Sequence, residues 1–129
     1  MIILVDSNVL ISAILYPNSV PAKALYHAAD NHELILTDHN VSEVRRIVKE
    51  KFSDKHTDVE SFLTELSYEL VLAPETVQEV MNDPKDEPIF SAAILADVDI
   101  IISGDKHFLS LDIEKPKPMN AADYLNSYK

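Results

Sequence analysis

Ile2-Ile3-Leu4-Val5-Asp6 and Ile100-Ile101-Ile102-Ser103-Gly104-Asp105 decide the fold. Each is an unbroken aliphatic run, mostly β-branched, that leads into an aspartate. Strict alternation would mark a strand with one wet face. Its absence predicts strands buried on both faces, as in a parallel sheet. Parallel strands deliver whatever follows them to the carboxyl edge, where open α/β sheets place their sites. Two acids delivered to one edge crowd each other. Carboxylates about 4–5 Å apart repel by roughly 3–4 kcal/mol at an effective dielectric near 20. A divalent cation is the commonest relief.

The 129 residues predict one domain, 1–129, able to bury roughly two-thirds of its unfolded surface without staples. There is no cysteine, which excludes disulfides, thiolate metal sites and cysteine nucleophiles. No apolar stretch approaches the ~20 residues of a membrane helix. The apolar amino-terminal stretch is interrupted by Asp6, has no basic region before it and no small-residue cleavage site after it. It therefore reads as a core strand, and the expected location is cytoplasmic. The net charge of −11 argues against broad electrostatic binding to nucleic acid. It suits a basic protein partner.

Along the chain, strand 2–6 is followed by a short helix after Asn8, the Pro17–Pro21 turn and a helix over 21–31. A strand from Glu33 to Leu36 leads to a helix capped by Asp38 or Asn40 and running to about Phe52. Val41, Val44, Ile47 and Val48 form its buried stripe. A helix over 57–67, a strand Tyr68–Leu72, a short helix 75–81 and a polar loop 82–88 come next. An Ala-rich helix 88–97, strand 99–103, a short helix after Asp105, a Pro-rich edge segment 116–119 and a helix 120–128 capped by Asn120 complete the reading. Strands alternating with helices predict a three-layer α/β sandwich. The single glycine, Gly104, stands where about nine are usual for this length. Its place beside Asp105 suggests a positive φ, a close backbone approach or an ordinary strand-ending turn. No glycine-rich phosphate loop exists, which excludes Walker and Rossmann nucleotide sites.

The acids have both structural and chemical readings. Asp6, followed by Ser7 and Asn8, and Asp105 could each cap the next helix. Glu43 could close a capping box with Asn40, yet it lies beside a buried stripe where a carboxylate needs a partner or a cation. Asp83, Asp86 and Glu87 crowd the start of the Ala-rich helix.

Taken in order, these stretches resemble the PIN-domain family. They are Val5-Asp6-Ser7-Asn8-Val9-Leu10-Ile11-Ser12-Ala13, Val41-Ser42-Glu43-Val44, Asp83-Pro84-Lys85-Asp86-Glu87-Pro88-Ile89 and Ile102-Ser103-Gly104-Asp105-Lys106-His107-Phe108-Leu109. Pro118 to Leu125 looks like the family's last strand and helix, so the resemblance spans essentially the whole chain. It is closest to the single-domain toxins of prokaryotic toxin–antitoxin pairs, the VapC type. The resemblance implies a parallel sheet ordered 3-2-1-4-5 and a metal-dependent ribonuclease site. It places the family's four acids at Asp6, Glu43, Asp86 and Asp105, as metal ligands and catalytic residues. Glu87 and Asp83 remain alternatives for the third. Ser7 and Ser103 keep the hydroxyl where the family has threonine, and Asn8 supports the same edge. An antitoxin protein and a homodimer are further implied partners.

The chemistry is consistent with that resemblance. Mg²⁺ or Mn²⁺ takes hard oxygen ligands and keeps waters, and paired ions activate water against a phosphodiester. RNA is then the substrate, and Arg45, Arg46, Lys106 and His107 are candidates to touch it. A solvated helix face with pairs such as Glu43–Arg46 is the plainer reading of the arginines. The histidines lack metal spacing and read as surface or helix residues. Phosphotransfer on a related sheet fits less well: Asn8 stands where a dehalogenase-type phosphatase needs a second aspartate. A PIN scaffold used only for binding is the other alternative.

Overall fold

Strand β1, Ile2–Val5, is the central strand of a five-stranded sheet ordered β3-β2-β1-β4-β5. The others are β2 (Glu33–Thr37), β3 (Glu69–Val71), β4 (Ile100–Ile102) and β5 (Lys117–Met119). Every pairing is parallel. Leu4 sits opposite Ile35 on one side and Ile101 on the other. The computed structural model describes residues 1–73 and 87–128, apart from the side chains of Glu87, Pro88 and His107. The expected helix 75–81 and most of the polar loop, with Asp83 and Asp86, lie outside the described residues.

The helices are α1 (Ser7–Leu15), α2 (Val20–Asn31), α3 (Asp38–Lys51), α4 (His56–Glu65), α5 (Glu87–Leu95), α6 (Lys106–Leu109) and α7 (Ala121–Tyr128). A single 3-10 turn, Ser53–Lys55, precedes α4. Side chains leave a strand alternately to its two faces. Ile3, Val5, Leu34, Leu36, Ile100 and Ile102 therefore join one core, with Leu10, Leu25, Val44, Leu63 and Tyr124 from α1, α2, α3, α4 and α7. Leu4, Ile35 and Ile101 join a second core with Ile89 and Phe90 of α5 and Phe108 of α6. This gives three layers, and explains why β1 and β4 have no alternation: both faces are dry. Each such side chain contributes roughly 1.5–3 kcal/mol on burial. Among the described residues no helix is long and apolar enough to cross a membrane.

Three local details differ from the sequence reading. The cap of α3 is Thr37, not Asp38 or Asn40. Thr37 Oγ1 accepts from Asn40 N at 2.9 Å, while Asn40 Oδ1 accepts from Thr37 N at 3.3 Å. This reciprocal box replaces the expected one between Asn40 and Glu43. Asp38 instead accepts from Ala73 N at 2.7 Å, fastening the end of the β3 segment.

Gly104 has neither a positive φ nor a close neighbour. A Cβ there would meet Asn8 Oδ1 at 3.9 Å, an ordinary contact. Among the described residues the left-handed position belongs to Asp97, with φ 57°. It ends α5 through Asp97 N to Ile94 O at 3.2 Å and Val98 N to Ala93 O at 2.9 Å. That is the paired-carbonyl helix stop that usually carries glycine.

Candidate functional site

Asp6 leaves the carboxyl end of β1 with its backbone N–H still donating to Ile102 O of β4, at 2.9 Å. It occupies the N-cap position of α1, and its side chain is buried, 4 % exposed. One carboxylate oxygen accepts from Ser7 N at 2.7 Å. The other accepts from Ser103 Oγ at 2.8 Å. Ser103 Oγ in turn accepts from Asp105 N at 2.9 Å. The hydroxyl expected to support the site thus joins two of its acids.

The third acid arrives from the β2–α3 junction. Asn40 Nδ2 donates to Ser7 Oγ at 2.9 Å, which fixes the first turn of α3 against the first turn of α1. Thr37, Asn40 and Ser7 are all buried, so each of these bonds is made away from water. Glu43 stands one turn further along α3, half-buried. Sequence reading missed Asn40 and Thr37 as builders of this edge. Their signal was the Thr-x-x-Asn spacing at a strand end.

The carboxyl of Asp6 is pushed up to about 6. Burial is the main cause, because it penalises the charged form. The bonds from Ser103 and Ser7 act in the opposite direction. The negative charges of Glu43 and Asp105 then add to the rise, so the fold brings both acids within electrostatic reach of Asp6. Among the described residues no three acidic or histidine side chains come close enough to hold a metal ion. Asp86, the fourth expected acid, lies outside the described residues, and Glu87 begins α5.

His39 was not singled out by the sequence. It lies four residues before Glu43 on α3, with Nε2 at 3.9 Å from Glu43 Oε2. That nitrogen is buried and has no hydrogen-bond partner.

The two arginine candidates are otherwise engaged. Arg45 grips Glu60 of α4 with Nε and Nη2, at 2.8 and 3.1 Å. Arg46 pairs with Glu50 at 3.4 Å, where Glu43 had been the expected partner. Lys106 is exposed at the start of α6, and His107 lies in the same helix. On the other side of Asp6, Asn8 Oδ1 accepts from Gly104 N at 3.4 Å and ties the α1 start to the β4 end.

A family model of the PIN domain matches residues 2–107. The chain belongs to the PIN-domain family. Comparison with curated proteins finds no match. Among solved structures, the PIN chain described here is similar to one in the crystal structure of VapBC2 from Rickettsia felis bound to a DNA fragment from their promoter. That match has a TM-score of 0.71 at 16 % identity, over 93 % of this chain and 98 % of the other. The likeness is one of fold.

Proposed function

We propose that this PIN domain is a divalent-metal-dependent endoribonuclease, the toxin of a toxin–antitoxin pair. The observation that carries the reading is Asp6: a buried carboxyl raised to about 6 that feels the charges of Glu43 and Asp105. A fold that gathers acids against desolvation and mutual repulsion is suited to a cation. The donor set is all carboxylate oxygen, which fits Mg²⁺ or Mn²⁺. Asp6, Glu43 and Asp105 would hold the ion, with Asp86 as the fourth. A bound ion supplies an electrophile for the phosphodiester and a more acidic water.

The chain's own residues supply position and exclusion. Ser103 and Ser7 hold the Asp6 carboxylate by both oxygens, so it cannot rotate away from the edge. Asn40 and Thr37 anchor the first turns of α1 and α3 to each other. Lys106 and His107, next along from Asp105, are the nearest basic residues in sequence for the RNA backbone. Arg45 and Arg46 would reach RNA only by exchanging carboxylate partners for phosphate.

VapBC2 from Rickettsia felis is, by its description, bound to a DNA fragment from its own promoter. An antitoxin with a basic segment would complement a chain of net charge −11. Homodimerisation of this chain belongs to the same proposal.

The test is cleavage of total RNA by metal-stripped protein after addition of Mg²⁺ or Mn²⁺. Cleavage is expected to fall to background with a chelator, with Asp6→Asn and with Glu43→Gln. The lack of a three-ligand cluster among the described residues favours a second reading, a binding scaffold. Wild-type protein that cuts no more than Asp6→Asn would leave the scaffold as the better reading.

A further inference from the structure

Beside the carboxylates lies a pocket of about 430 Å³, walled by the start of α1, the start of α2, the end of β4 and the start of α7. That volume is within the roughly 300–1,000 Å³ of small-molecule sites. Ser103 and Gly104 form one wall, and Ser103 is the residue bonded to Asp6. The pocket and the acidic edge therefore share a side.

Its character is opposite to that edge. Val9, Val20, Pro21, Ala121 and Ala122 supply apolar surface, and none of its described lining residues is charged. In a chain carrying 22 acids, an uncharged hollow beside the edge that holds Asp6 suits a ligand with two unlike parts. A nucleotide has them: a phosphate for a cation and a flat neutral base.

Two amides face this chemistry. Asn120 Oδ1 accepts from Asp123 N at 2.7 Å, and Asn8 Oδ1 accepts from Gly104 N at 3.4 Å. A backbone N–H can only donate, so each amide presents oxygen to the backbone and keeps its NH₂ for something else. No described residue takes a bond from either NH₂. Two donors that no described residue uses, on apolar walls, match the acceptor edge of a base that has been splayed from a single strand.

We infer that this pocket binds the base of a nucleotide flanking the scissile bond of single-stranded RNA, with Asn8 and Asn120 donating to it. The identity of the occupant rests on the nuclease reading; the pocket does not. Specificity would then come from the base edge on this side of the site, while the carboxylates act on the phosphate without regard to sequence.

The test uses the whole chain and the four nucleoside 5′-monophosphates, with ribose 5-phosphate as the base-free control. The Ala121 and Ala122 methyl resonances are followed by NMR. At least one nucleotide is expected to shift them saturably, and ribose 5-phosphate to leave them in place. Ala122→Phe, an exposed position, fills the pocket and should abolish the shift. Asn120→Asp keeps the oxygen that caps α7 but removes the donor, and should weaken binding by about fivefold or more. No shift with any nucleotide, an equal shift with ribose 5-phosphate, or unchanged binding in both variants overturns the inference. RNA cleavage is measured in parallel. Nucleotide binding without cleavage by wild type removes the nuclease reading and leaves the base pocket. Cleavage without base binding removes the pocket alone.

Discussion

Ser103 Oγ donates to Asp6 Oδ2 at 2.8 Å, joining residues 97 positions apart. The same oxygen accepts from Asp105 N. One hydroxyl thus orients a carboxylate and the start of the loop that carries another. Ser103→Ala is expected to destabilise the fold by roughly 1.5–3 kcal/mol, because it strips a buried charged acceptor of its donor. It should also push the Asp6 carboxyl above about 6, since the Ser103 bond lowers it. Ser103→Thr keeps the hydroxyl and should restore both. Denaturant unfolding of the three proteins at pH 7 measures the difference.

Asp6 makes stability depend on pH in an unusual direction. In the unfolded chain it ionises near its ordinary 3.8, in the fold near 6. Between those values the native state holds a proton that the unfolded chain has released. This group's contribution is complete below pH 3.8 and is lost as pH rises to about 6. The loss is about 3 kcal/mol by linkage. Asp6→Asn removes the charge but leaves one acceptor where two are used, costing about 1 kcal/mol. The metal-free variant should therefore gain about 1–2 kcal/mol at pH 7 and none at pH 3.5. A melting series from pH 3.5 to 8 checks this, and a wild-type curve flat between pH 4 and 6.5 would contradict it.

Metal reverses that ordering. A ligand bound only by the native state stabilises by mass action, about 2.7 kcal/mol at a hundredfold excess over its Kd. Millimolar Mn²⁺ or Mg²⁺ is expected to raise the wild-type melting temperature and to leave Asp6→Asn unmoved. The variant, more stable without metal, then becomes the less stable protein with it. Equal responses in the two proteins would place the ion elsewhere.

Asn40→Ala tests the junction that carries Glu43. It removes the bonds to Thr37 N, Thr37 Oγ1 and Ser7 Oγ, all buried. The expected cost is about 2–4 kcal/mol, from the lost reciprocal half of the capping box and the buried Thr37 and Ser7 hydroxyls left without that partner. Cleavage should fall further than the folded fraction does, because the first turns of α1 and α3 lose their tie. Activity normalised to folded protein separates the two effects.

Sequence periodicity made the sheet legible. Runs such as 2–5 and 100–102 could only be strands dry on both faces, and the observed order follows from the family resemblance they supported. Asp6 and Asp105 were visible as strand-end acids for the same reason. Asn40 was seen as a possible cap, but not its bond to Ser7, because that bond depends on how two helix starts meet in space. Asp97 went unnoticed as a helix stop: a positive φ was one reading of the lone glycine, Gly104 proved to be an ordinary strand-ending position, and among the described residues an aspartate takes the left-handed conformation. The partners of Arg45 and Arg46 were misjudged or unseen, since Glu60 lies on a neighbouring helix and exposed pairs are weakly specified by sequence.

The central strand is made first and completed last. β1 precedes the other strands in sequence, but its neighbour β4 is residues 100–102, and β5 follows at Lys117–Met119. Until those are synthesised, Asp6 has no Ser103, no Asp105 and an exposed strand edge. Such distant pairing slows folding and delays closure. The edge that carries Asp6 is thus assembled only when β4 has been synthesised, and a chain ending before it lacks the residue that orients the Asp6 carboxylate.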